Sequence, residues 1–467
     1  MKRRFTALLS AAVLLLSLCS SVFASGDAKQ TTENTTNTVN ASIFSWDLHL
    51  LSAENHDQIR NVLQTLHITR VYQCLPAPYL EQTTTADMVK RMTQDGVEIA
   101  ALIGEREWGL RSADLQDVFA YIDALVRFNE TLGKEAPIRK LAIDVETYTL
   151  DEWSRSPKTY FADYIKNMRS LYDYAHGRGF SVIQIIPVHF DRIDAALFRG
   201  FVEQCCDELS LMNYTKKTQV TAIRDEVALC RELGMRVETI FETMPTSDKY
   251  SVTKDNTYFY DGLDALHEKA QEILTAYQYD GLTLSYHYFR PIYHMLTGKY
   301  IAEIYAYTDS ADPTRNDLGQ TDALPSLTLR GSDSSTVKAY LYNPNLGAEY
   351  PEVCYLVFGV APDVTYTIVA DSPEYAVQTS EKTFSFEEDA LIDYTSLKLT
   401  RVGESAQPRP ESEPSPETGN DPENGAETMQ DDDSETQEPA QTQEPPCDPN
   451  CDRTPKQERR GKKNRHQ

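Results

Sequence analysis

Asp144 and Glu146 stand one residue apart in the string Ile143-Asp144-Val145-Glu146-Thr147-Tyr148, at the end of an apolar run over 141–145. If that run is a strand, side chains alternate, so both carboxylates share a face with Ala142 below them. Two carboxylates crowded into a low-dielectric cavity cannot both ionise easily, so one keeps its proton to higher pH. A carboxylic acid still protonated near neutrality is what protonation of a glycosidic oxygen requires. Asp144 and Glu146 are therefore candidate catalytic residues. The plainer alternative is two exposed loop acids that cap the next helix.

The ends of other apolar runs carry residues that suit such a pair. Met212-Asn213-Tyr214-Thr215 ends the run over 209–214, with Met212 and Tyr214 on one face. Glu242-Thr243 follows the run over 237–241 and supplies a third catalytic candidate, Glu242. Trp46-Asp47 ends the first run, Tyr72 and Gln73 lie in the second, and Tyr286-His287-Tyr288 ends the last. Rings and amides around carboxylates fit a sugar subsite. Trp46, Asp47, Tyr72, Gln73, Met212, Asn213, Tyr214, Tyr286 and His287 are thus substrate-binding candidates. No phosphate-cradling glycine fingerprint or metal-ligand spacing accompanies them, so neither cofactor nor metal is expected.

Such residues need a scaffold that gathers strand ends. Eight short apolar runs, 43–46, 68–75, 97–103, 141–145, 180–187, 209–214, 237–241 and 282–286, alternate with amphipathic patterns. Between the third and fourth, Leu115, Val118, Phe119, Ile122, Leu125 and Val126 recur at helical spacing. Glycines at Gly96, Gly179 and Gly234 stop helices ahead of strands. Strand then helix, eight times over, predicts a (β/α)8 TIM barrel across 42–305, whose reactive groups gather at the C-terminal strand ends. Shorter strands and turns over 323–402 predict a small all-β sandwich.

Beyond 403 the chain is rich in Glu, Pro, Gln and Asp, and it ends in the basic patch Arg459-Arg460-Gly461-Lys462-Lys463. Such a tail, 403–467, cannot bury enough to fold and is expected to be a disordered acidic tail. Its basic end is a solvated terminus or a tether to an anionic cell wall. At the other end, Lys2, Arg3 and Arg4 precede a short apolar stretch and the small residues Ala24-Ser25. That predicts a signal peptide over 1–24 and a flexible leader over 25–41, hence a secreted or cell-surface protein. Leu18 before Cys19 argues against a lipoprotein.

Of the 467 residues, 40 % are hydrophobic, enough for a sizeable core. The formal charge of −26 argues against nucleic acid, since phosphate partners need a basic surface. Seven widely spread cysteines beyond Cys19 do not form a disulfide framework.

The barrel is similar to glycoside hydrolase family 18, the chitinase and endo-N-acetylglucosaminidase group. Asp144-Val145-Glu146 matches the end of that family's strand-4 acidic signature, with Arg139 and Ala142 in place of its earlier acids. Met212-Asn213-Tyr214 matches its strand-6 motif, with Thr215 where the family has Asp, and Tyr286 stands for its strand-8 Trp. The resemblance implies hydrolysis of N-acetylhexosamine polysaccharide, with Glu146 as acid/base, Asp144 orienting the substrate's acetamido group and Tyr214 helping to hold it. Double displacement with Glu146 and Glu242 is a second reading, and a non-catalytic carbohydrate-binding barrel a third. Glu242-Thr243, Thr257-Tyr258-Phe259 and Ser285-Tyr286-His287-Tyr288 also resemble uncharacterised bacterial glycosidase-like barrels.

Overall fold

The computed structural model describes residues 40–47, 56–308, 324–342, 353–372, 375–377, 380–386, 391 and 393–401. The signal peptide, residues 25–39 of the leader and the acidic tail with its basic end lie outside them.

Eight parallel strands close into a barrel: β1 (Ala41–Ser45), β2 (Ile68–Cys74), β3 (Glu98–Ile103), β4 (Lys140–Asp144), β5 (Ser181–Pro187), β6 (Glu208–Met212), β7 (Arg236–Glu242) and β8 (Leu282–His287). Closure is direct, with Ala41 opposite Leu284 and Ser42 opposite Ser285. Each strand lies within two residues of its apolar run. Around it run α1 (His56–Thr65), α2 (Thr83–Gln94), α3 (Gln116–Leu132), α4 (Asp151–Arg155), α5 (Pro157–His176), α6 (Phe190–Ile193), α7 (Ala195–Cys205), α8 (Gln219–Ala222), α9 (Arg224–Leu233), α10 (Gly262–Tyr277) and α11 (Phe289–Thr297). On α3 the buried residues Val118, Tyr121, Ile122, Leu125, Phe128 and Leu132 fall on one face of the helix. α9 stops at Gly234, whose φ of 69° is the left-handed conformation that glycine adopts without a Cβ clash.

The two faces of the strands differ in chemistry. Outward residues such as Leu282, Leu284 and Tyr286 join the helices in one large apolar core. The lumen is layered. At its base Arg70 donates to Glu208 and Glu98, each at 2.8 Å, and Lys140 also meets Glu208. One layer up, Glu238 accepts from Ser42 (2.6 Å), Tyr72 (2.7 Å) and Ser210 (2.9 Å). Above these an apolar layer of Phe44, Ala142, Ile183, Ile185, Met212 and Ile240 supports the mouth.

The all-β region comprises β9 (Tyr300–Thr308), β10 (Ser326–Gly331), β11 (Thr336–Tyr342), β12 (Val353–Val360), β13 (Thr365–Asp371), β14 (Tyr375–Val377), β15 (Ser380–Thr383) and β16 (Tyr394–Arg401). They form one ladder, in the order β14-β16-β9-β12-β11-β10-β13-β15. Only residues 372–374 join β13, near one end of the ladder, to β14 at the other, so the sheet must roll over its own core. That core includes Ile304, Leu327, Val357, Ile368 and Phe384. The boundary read at 305 falls inside β9, which begins the second sheet just after α11. Alternate residues of β12, Cys354, Leu356 and Phe358, face the barrel's core instead, with Phe358 edge-on to Tyr293 of α11 at 5.3 Å.

One group couples this fold to pH. Glu226, in the first turn of α9, is fully buried, and neither carboxyl oxygen has a hydrogen-bond partner among the described residues. Burial pushes its carboxyl up to about 8, from 4.5, with Asp191 and Asp225 nearby adding to the rise. Between those values the folded chain holds a proton that the unfolded chain releases, so stability falls as pH rises. The expected loss from pH 4.5 to 8 is a few kcal/mol, at about 1.4 kcal/mol per pKa unit. Glu226→Gln should flatten that slope in denaturant titrations at pH 5 and 8.5. An unchanged slope would rule Glu226 out as its source.

Candidate active site

The mouth at the C-terminal strand ends is built from three walls. On the first, β4 delivers Asp144 above the lumen-facing Ala142, and Glu146 follows in the turn beyond. Both acids are buried, Asp144 at 8 % exposure and Glu146 at 3 %, so they are not solvent-facing caps. The tip of β3 makes room for them. A Cβ on Gly104 would fall 1.6 Å from the Asp144 carbonyl oxygen, so only glycine lets the two strand exits lie this close. Tyr148 turns its hydroxyl back to donate to Glu146 Oε1, and the Tyr148 hydroxyl oxygen lies 3.7 Å from Met212 Sδ. This contact brings the β4 and β6 candidates together.

On the second wall, Met212 and Tyr214 both belong to the lumen cluster. Asn213 between them points the other way. Its amide donates to Gln219 O (2.8 Å) and Thr239 Oγ1 (3.1 Å) in the barrel wall, where no substrate in the lumen can meet it.

The third wall is Glu242 with its neighbour His287. The two are register partners across β7 and β8. Glu242 is 1 % exposed. Its Oε1 accepts the backbone N–H groups of Thr243 (2.8 Å) and Met244 (2.7 Å). His287 Nδ1 lies 2.8 Å from Oε1 and 2.9 Å from Oε2. Tyr286 points away from the lumen, its hydroxyl 2.9 Å from His267 on α10. On β8 the lumen position therefore belongs to His287, and the aromatic surface beside it comes from β1. Trp46 meets the imidazole edge-on at 4.8 Å and lies 5.5 Å from Phe44 in a stacked arrangement.

The remaining candidates divide. Trp46 is at the mouth, and Asp47 beside it is held by Arg290 of α11. Tyr72 is in the lumen but one layer too deep, its hydroxyl committed to Glu238 and its ring 4.6 Å from Phe44. Gln73 faces outward and donates to Cys74 O at 2.8 Å. Two mouth residues escaped the reading of the sequence. Tyr148 sits two residues past Glu146. His189 follows Ile185 and Pro187 on the alternation of β5, and its ring is edge-on to Tyr148 at 5.7 Å. Burial pushes the His189 imidazole down to about 4, with Arg192 adding to the effect, so it is neutral at neutral pH. Continuing the alternation past Pro187 was the signal that could have found it.

No family model matches the chain, and no curated protein does. Solved structures similar to it include the glycoside hydrolase domain of PgaB from Bordetella bronchiseptica, 10 % identical over 54 % of this chain and 95 % of that one, with a TM-score of 0.35. Catalytic domain 2 of the Group II chitinase from Ostrinia furnacalis is 10 % identical over 56 % of this chain and 97 % of that one, with a TM-score of 0.34. D-psicose 3-epimerase from Clostridium cellulolyticum H10 is 14 % identical over 54 % and 86 %, with a TM-score of 0.33.

Proposed function

We propose that the chain is an exported glycoside hydrolase that cleaves polysaccharide containing N-acetylhexosamine, with Glu146 as its acid/base. The observation that supports this reading most is the buried pair at the β4 exit, with the Tyr148 hydroxyl on Glu146 and the Met212–Tyr214 face beside it. Tyr148 donates to Oε1 and holds the carboxyl in place, and the Glu146 proton passes to the glycosidic oxygen. Asp144 orients the substrate's acetamido group, whose oxygen attacks the anomeric carbon as the leaving sugar takes the proton from Glu146. Water then opens the cyclic intermediate and returns a proton to Glu146. Tyr214 holds the acetamido oxygen and Trp46 offers a ring for the sugar face.

Glu242 is not given the nucleophile's role. One of its oxygens already accepts two backbone N–H groups, and both face His287. Paired aryl glycosides carrying either an acetamido or a hydroxyl group at the 2-position test the scheme. Only the acetamido substrate should turn over, and a thiazoline mimic of the cyclised intermediate should inhibit far more tightly than substrate binds. Equal turnover of both would rule out the acetamido group as nucleophile.

A further inference from the structure

We infer that Glu242 and His287 form one recognition unit, in which Glu242 fixes the imidazole tautomer so that His287 Nε2 accepts a hydrogen bond from a hydroxyl of the bound sugar. The inference rests on the hydrolase reading above and adds a specificity-determining contact to it. Its basis is an assignment of donors. Backbone N–H groups can only donate, so Glu242 Oε1, which receives two of them at 2.8 and 2.7 Å, must be an acceptor. An oxygen already filled by two N–H donors has no proton to offer, so the 2.8 Å contact to His287 Nδ1 is a donation from the ring. In the neutral imidazole the lone pair then belongs to Nε2, on the side of the ring away from Glu242.

The unit is rigid as well as polarised. The His287 carbonyl accepts from both the N–H (2.8 Å) and the hydroxyl of Thr243. The ring is enclosed by Phe44 at 6.0 Å, Trp46 at 4.8 Å and Tyr214 at 6.0 Å, which fixes its plane. β8 lies four places from β4 around the closed barrel, so His287 and the Asp144–Glu146 pair occupy facing walls. A sugar seated against Trp46 with its glycosidic oxygen at Glu146 therefore turns its far edge, which bears hydroxyl groups, to His287. His287 touches substrate in this arrangement. Glu242 is a positioning residue that acts through it.

Glu242→Gln separates this role from simple support, because it keeps the side chain's shape. The Gln carbonyl can still accept the two backbone N–H groups, but its NH2 must then face Nδ1 as a donor. The ring responds by moving its proton to Nε2, turning an acceptor into a donor. Nitrogen-15 NMR of the full-length protein should show His287 protonated at Nδ1 in the parent and at Nε2 in Glu242→Gln. With the aryl glycoside of di-N-acetylchitobiose, kcat/KM should fall roughly 10- to 100-fold in Glu242→Gln, the scale of one lost hydrogen bond to a polarised partner. A series of monodeoxy versions of that substrate should contain one member that costs the parent protein a similar factor and costs Glu242→Gln and His287→Asn almost nothing. If the parent cleaves the substrate but every deoxy analogue loses the same factor in all three proteins, or the tautomer is unchanged, the recognition unit is wrong and the hydrolase reading stands. If the parent neither cleaves nor binds the glycoside, the hydrolase reading fails and the inference fails with it.

Discussion

Glu146→Gln is expected to lower hydrolysis by roughly 10²–10⁴-fold while sugar binding survives, because it removes the transferable proton and keeps the side chain's shape. Tyr148 makes the variant informative. Its hydroxyl donates to Glu146 Oε1, and a Gln carbonyl accepts the same bond, so the variant side chain stays where the carboxyl was. Binding of di-N-acetylchitobiose by calorimetry should change by less than the turnover does by orders of magnitude. Turnover within twofold of the parent would remove Glu146 as the acid.

The second large effect concerns the joint between barrel and sheet. Arg290 is 2 % exposed and has three partners on two segments: Asp47 after β1, and the Ile301 carbonyl (3.2 Å) and Glu303 side chain of β9. Glu303 also accepts from Tyr305 at 2.6 Å. Burial alone would lower the guanidinium's pKa, yet the charges of Asp47 and Glu303 hold it well above the ordinary arginine value. Removing one member of a buried ionic cluster strands the others, at about 3–5 kcal/mol. Arg290→Met should therefore lose that much in denaturant unfolding, and limited proteolysis of the native variant should cut near residues 297–300 sooner than in the parent. A loss below about 1 kcal/mol would mean that the apolar contact of Phe358 with Tyr293 carries the joint by itself.

The barrel was legible because its two periodicities are strong. Buried parallel strands read as apolar runs, and the helices between them repeat every three or four residues. The Asp144–Glu146 pair and the Met212–Tyr214 face followed from alternation along a strand. Parity also explains what was misread. Once Met212 and Tyr214 face the lumen, Asn213 must face the wall, and Gln73 is turned out beside Tyr72 by the same rule. On β8 the parity could not be fixed from sequence. The apolar set Leu282, Leu284 and Tyr286 looks like the side that should line a site, yet it packs on the helices, whose layer is the larger apolar surface. The polar set Thr283, Ser285 and His287 is left for the lumen. The bond between Glu242 and His287 depends on β7–β8 register, and Arg290 reaches an acid 243 residues away. Neither leaves a local trace. β9 went unread for another reason: its residues begin at Tyr300, just after α11, and most of them fall inside the span assigned to the barrel.

Digestion of a penta-N-acetylchitooligosaccharide in oxygen-18 water, followed by mass spectrometry, tests the central claim most directly. Hydrolysis at the mouth predicts shorter oligosaccharides carrying one oxygen-18 atom at each new reducing end, formed by the parent protein and lost in Glu146→Gln. A pentamer that is bound but remains intact and unlabelled after prolonged incubation would contradict the account and leave a barrel that only holds its sugar.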